Sequence, residues 1–139
     1  MNKMFAIFTL CVVPAGALAA EQVKIGTVLQ RPAEYHLRTI PLHGVASQVQ
    51  SAGNLYNYKY GSVCLGAYTF TLRDDSGSIA VEVLSFCGRS EDAIPLLKEN
   101  QTVHIDARIE APGYYTGQGR PLGELVSSTR AVAIKIHPE

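Results

Sequence analysis

The chain has little of what soft metal sites and strong electrostatic fields need. Its 139 residues include two methionines, Met1 and Met4, and three cysteines, Cys11, Cys64 and Cys87. Twelve basic side chains are balanced by twelve acidic ones, so it lacks the field that draws proteins to nucleic acid or anionic membranes without specificity. Catalytic signatures are missing too: there is no Gly-x-Ser-x-Gly elbow, His-Glu-x-x-His, phosphate loop or Cys-x-x-Cys pair, and each of those chemistries needs its residues at that spacing. Asp74 and Asp75 are adjacent carboxylates, but a turn accounts for them, because Asp side chains accept from the amides of their own turn. A hydrolase or nuclease would need carboxylates or histidines converging in a cleft, and the sequence displays no such cluster. The expectation is a protein that is not an enzyme.

The N-terminus reads as an export signal. Lys3 precedes an apolar run over 4–13, then Pro14 and the small residues of 15–20. That run is too short for a bilayer, which needs about 20 residues, and it suits a signal peptide cleaved after Ala19 or Ala20. Leu10, not a small residue, precedes Cys11, so no lipid or membrane anchor is expected. The reading is residues 1–20 as signal and 21–139 as a single domain in the periplasm or outside the cell. Cleavage removes both methionines and Cys11. The remaining pair, Cys64 and Cys87, favours a disulfide in an oxidising compartment, worth about 3 kcal/mol in the chain-entropy model. A copper(I) site, which wants Met or thiolate, is then disfavoured.

What is present is β-structure. Residues 67–86 alternate on either side of Asp74-Asp75-Ser76-Gly77. Tyr68, Phe70 and Leu72 share one face and Ile79, Val81 and Val83 another, the pattern of half-buried antiparallel strands. Gly77 is expected to supply a positive φ to the turn. Upstream, 27–30 suggests a short helical turn stopped before Pro32, and 33–36 leads into a long strand over 37–50. The parity of its apolar residues changes after Gly44, which suggests a bulge there. A short helix capped by Ser90 is expected over 91–98. Strict alternation from Val103 to Glu110 marks a fourth strand, and 132–137 a fifth with its β-branched residues on one face. Five strands with a helix between the third and fourth give an all-β Greek-key barrel, the OB-fold.

The run Ile40-Pro41-Leu42-His43-Gly44-Val45, followed by residues 70–81, resembles bacterial OB-fold domains. In these a V-x-G-x-V-like strand precedes an F-x-L-x-D-x-x-G-x-I-x-V-like hairpin. Two branches are similar: tRNA-anticodon-type nucleic-acid-binding domains and small exported periplasmic proteins. The resemblance implies binding on the strand 2–3 face between two long loops. Haem carriers of this fold, so the resemblance implies, have a membrane anchor and a C-terminal His-x-x-x-Tyr segment. Both are missing here, and no cofactor is expected.

The candidate site follows from that geometry. One loop carries Tyr56, Tyr58, Lys59 and Tyr60, the other Tyr114, Tyr115 and Arg120, so five of the seven tyrosines flank the expected cleft. Their rings suit stacking on a sugar or base, or anchoring a protein; equally, they suit folding back over the barrel ends. Thr69, Thr71, Arg73, Ala80, Glu82 and Leu84 would form the floor. With Lys59, Arg73 and Arg120 as the obvious cations, a glycan, peptide or protein ligand ranks above single-stranded nucleic acid. A structural subunit of an envelope assembly is a further alternative. His43 and His104 point outward from neighbouring strands near Asp106, but two surface histidines on a sheet are ordinarily only that, and no metal is expected.

Overall fold

The computed structural model describes residues 21–52, 64, 66–86, 94, 96–116 and 124–139. Two short helices, α1 (Ile25–Gln30) and α2 (Pro32–Tyr35), come first. Five strands follow: β1 (Thr39–Ser51), β2 (Tyr68–Arg73), β3 (Ser78–Val83), β4 (Gln101–Glu110) and β5 (Arg130–Pro138). They close into a barrel in the order β1-β2-β3-β5-β4, with β4 returning to β1. Every pair is antiparallel except β3 with β5. This is the expected all-β, five-stranded OB barrel.

Alternation fills its interior. Leu42, Leu72, Val81, Val103, Ala107 and Ile109 are all fully buried, and burying a Leu or Val contributes about 1.5–3 kcal/mol each. A closed barrel admits outside side chains only at its ends, and α1 covers one of them: its Ile25 and Val28 are fully buried in the same core. Alternation cannot reveal this role, because α1 is too short to show a period.

Several local expectations are corrected. The segment 33–36 does not lead straight into a strand, because Pro32 opens α2 instead, its fixed φ suiting the first helical position. In β1 the inward phase runs through Gly44 to Ala46 unbroken. The bulge falls later, between Ser47 and Gln50, where Gln48 takes φ +55°. Glu99 holds it open: its carboxylate accepts the amides of Gln48 at 3.0 Å and Val49 at 2.5 Å. Gly44 answers a different need. A Cβ there would lie 2.4 Å from the Arg73 carbonyl oxygen, so β1 crosses β2 too closely for any side chain.

Gly77 has no positive φ; the turn is closed instead by Asp74. Its Oδ1 accepts from Ser76 N at 2.7 Å and Gly77 N at 3.0 Å, the Asx arrangement expected for this turn. In β5 the β-branched residues do not share a face. The register slips where Asp106 pairs with Lys135 but Ala107 with Ala133, so Val132 stands opposite the outward-phase Arg108 and Ile136 opposite the inward Ile105, with Ile134 exposed at the slip. Half of the helix expected over 91–98 falls outside the described residues, and its described members, Ile94 and Leu96 to Lys98, are not helical.

Candidate binding face of the barrel

The residues expected to form the floor do face outward from β2 and β3. Thr69 and Thr71 are half-buried on β2 and Glu82 half-buried on β3, with Arg73 and Ala80 exposed. Register sets Thr69 beside Glu82 and Thr71 beside Ala80. The Thr71 hydroxyl donates to Gln48 Oε1 at 2.9 Å, which ties the floor to the bulge of β1. Arg73 makes no ion pair among the described residues. It lines a cleft of about 340 Å³ with Lys24, His43, Asp74 and Asp75. Lys24 and Asp75 are 2.7 Å apart, and that bond holds the ammonium pKa above its ordinary value. Arg73 is therefore the cation in the cleft that a ligand can engage.

In the arm between β4 and β5, the described residues 113–116 and 124–126 pair with one another. Gly113 N donates to Val126 O at 3.0 Å, Val126 N to Tyr114 O at 2.9 Å and Thr116 N to Glu124 O at 3.0 Å, with Tyr115 bridged to Leu125. Its root is fixed by His36, whose Nδ1 accepts the Ala111 amide at 3.1 Å and whose ring stacks on Tyr114 at 4.4 Å. The two tyrosines differ in their surroundings. Tyr114 stacks on His36 and is 46% exposed, whereas Tyr115 is 66% exposed beside Leu125 at 56%. Tyr56, Tyr58, Lys59, Tyr60 and Arg120 lie outside the described residues, as does Cys87, the expected partner of Cys64.

An ion-pair network that the sequence did not suggest lies along the β3–β5–β4 flank. Glu110 belongs to the outward phase of β4 yet is fully buried. Arg130 Nε donates to its Oε2 at 2.9 Å, and Arg108 Nη2 lies 3.4 Å from its Oε1. Arg130 also reaches Glu124 of the arm at 3.3 Å and Glu82 at 3.6 Å. Arg130 thereby links Glu110 of β4 to Glu124 of the arm. Glu82 is thus a partner of Arg130 rather than an open contact for ligand. The signal was there only in part: Arg108 and Glu110 share a face by alternation, but Arg130 is 20 residues further on and its register was not readable.

His43 and His104 do face outward from paired strands, directly opposite one another. The carboxylate beside them belongs to Glu139, not Asp106, because Asp106 is matched across the sheet with Pro41 and Lys135.

Comparison with known proteins supports the fold and little else. No family model matches the chain, and no curated protein matches it. Among solved structures it is similar to a chain assigned as an aspartyl-tRNA synthetase from Leishmania major Friedlin, with a TM-score of 0.52 and 16% identity. The match covers 91% of this chain and 22% of that one. The two share a barrel.

Proposed function

We propose that this barrel is a non-enzymatic binding module that takes a single-stranded nucleic acid across β2 and β3. The observation that carries the reading is the fold itself: a closed five-stranded barrel similar over 91% of its length to part of a chain assigned as a tRNA synthetase. The face is compatible with it. Thr69 and Thr71 offer hydroxyls along β2, the exposed Arg73 offers a cation for a phosphate, and Tyr115 offers an open ring for base stacking, a contact worth about 1–3 kcal/mol. Lys59 and Arg120, from the two flanking loops, extend the same track in the sequence reading.

One observation favours a second reading, a neutral glycan, or a peptide or protein partner. The two arginines on the β3–β5–β4 flank are already engaged by Glu110, Glu124 and Glu82, so phosphates gain nothing there. Salt dependence separates the two. Single-stranded binding through Arg73, Lys59 and Arg120 would lower log K with log salt at a slope of roughly −2, while a neutral ligand would give a slope near zero. Titration of labelled single-stranded RNA and DNA at rising salt, beside glycan and peptide arrays, tests this. Binding to the arrays alone with no salt slope would overturn the nucleic-acid reading.

Export belongs to the same proposal and rests on the sequence of 1–20. In that compartment Cys64 and Cys87 would be bridged, and intact mass before and after reduction reads this directly as a gain of two mass units.

A further inference from the structure

Three of the four histidines of the chain stand in one row across the outside of the barrel: His43 opposite His104, and His104 opposite His137. The first two rings stack 4.2 Å apart, inclined by 26°. Glu139 reaches them from just beyond β5. Its Oε1 lies 2.6 Å from His104 Nε2 and 3.5 Å from His43 Nε2. The main chain of Glu139 is held at that place by its own N–H, which donates to the Thr102 carbonyl at 3.1 Å.

Donor atoms of the three residues all lie within 4.8 Å of one another. Ligands held at about 2.0–2.1 Å around a tetrahedral ion are roughly 3.4 Å apart. The 3.5 Å between His43 and Glu139 is thus already the spacing of two ligands on one ion. The 2.6 Å contact to His104 is a hydrogen bond that an ion would replace once the carboxylate withdrew by under about 1 Å. His43 Nε2 is shielded from solvent yet makes no hydrogen bond among the described residues. A buried nitrogen without a partner is costly, and a cation at this point would engage it. On the other side of His104, the Gln22 amide lies 3.5 Å from Nδ1. Turned over, it would accept from Nδ1–H and leave Nε2 as a donor of its lone pair, the outer contact that orients a ligating imidazole.

We propose that His43, His104 and Glu139 bind one borderline divalent cation, Zn²⁺ or Cu²⁺, through two imidazole nitrogens and a carboxylate oxygen. Two nitrogens exclude a preference for Ca²⁺ or Mg²⁺, which take oxygen ligands. Three protein ligands leave a position for solvent, so the site is open rather than closed. It stands on the outer surface of β1 and β4, with His43 also lining the cleft that holds Arg73, and does not depend on the nucleic-acid reading.

The test uses the untagged protein, stripped with chelator and titrated calorimetrically with ZnCl₂ and with CuCl₂ near neutral pH. The expected result is one equivalent bound at micromolar affinity, with no uptake of Mg²⁺ or Ca²⁺. His104→Ala and Glu139→Gln should each weaken binding by at least roughly tenfold, and Asp106→Asn should leave it unchanged. Thermal unfolding of each metal-free variant confirms that it folds. Absence of binding at 100 µM metal, full binding by a folded His43→Ala/His104→Ala variant, or an equal loss in Asp106→Asn would each overturn the proposal.

Discussion

At the α1 end of the barrel the Asp74 carboxylate binds backbone; on the β3–β5–β4 flank the Glu110 carboxylate binds guanidinium. At the α1 end, Asp74 accepts Ile25 N at 2.9 Å in addition to the two amides of its own turn, and Ser76 Oγ accepts Gly26 N at 2.8 Å. The β2–β3 turn is thereby clamped to the start of the helix that covers the barrel. On the flank, Glu110 is fully buried between Arg108 and Arg130. The difference lies in what is left behind when an acid is removed. Backbone amides near the surface turn to water, but a guanidinium in a dry site has nowhere to turn. The two ends of the molecule should therefore fail in different ways.

The largest effect is expected on the flank. Glu110→Ala removes a fully buried carboxylate from Arg108 and Arg130, each 16% exposed, and should cost about 3–5 kcal/mol, read as a fall in the denaturant midpoint. If the loss is under 1 kcal/mol, the network is not what holds the arm. Next comes the helix that covers the barrel. Ile25→Ala empties a fully buried position and should cost about 2–4 kcal/mol, measured the same way. An unchanged midpoint would mean that α1 only rests on the barrel.

The clamp itself should be weaker and sensitive to pH. Burial alone would raise the Asp74 pKa, but hydrogen bonds from the Ser76 hydroxyl and from the amides of Ile25, Ser76 and Gly77 outweigh it and hold the carboxyl below its ordinary value. A depressed folded pKa stabilises the protein above the ordinary carboxylate range, and that stability is lost as pH falls through the lowered value. Asp74→Ala should cost about 1 kcal/mol at neutral pH and remove part of the acid sensitivity of the melting temperature. Equal acid sensitivity in the variant would count against the clamp. Alkali acts elsewhere: burial pushes the Tyr68 hydroxyl up to about 12. Its contribution is intact below about pH 10, the ordinary tyrosine value, and fades as pH rises through the folded one. Tyr68→Phe should flatten the high-pH limb of the stability profile.

Much of the barrel was legible because alternation is a local signal. Residues such as Phe70, Val81 and Ile105 declare an inward face by their spacing alone, and register follows once the face is fixed. The exceptions are places where a distant residue decides. The bulge at Gln48 depends on Glu99, more than 50 positions away, and the slip in β5 depends on how it meets β4. Gly44 was noticed, but its reason, the Arg73 carbonyl, lies on another strand. The same limit governed the site. Thr69, Thr71 and Arg73 were readable as a floor from phase. The pairing of Glu82 with Arg130, the burial of Glu110 and the approach of Glu139 to the histidines all required three-dimensional neighbours. Tyr114 and Tyr115 are adjacent and alike in sequence, and the stacking of His36 on Tyr114 separates the ring with a partner from the more exposed one.

The smallest change in stability is expected where the largest change in binding is. Tyr115→Ala removes a ring that is 66% exposed, and should alter stability by no more than about 0.5 kcal/mol while weakening any stacked ligand by roughly tenfold. A large loss of stability would show that this ring, too, holds the arm in place.

The central claim is that the β2–β3 floor and the exposed side of the arm receive a single strand. Its most direct test is a titration of the isotope-labelled protein with a short single-stranded RNA, followed by amide chemical shifts. The account predicts shifts that concentrate on Thr69, Thr71, Arg73 and Tyr115 and spare Ile25 and Val28. Shifts confined to the α1 end, or none at millimolar RNA, would contradict it.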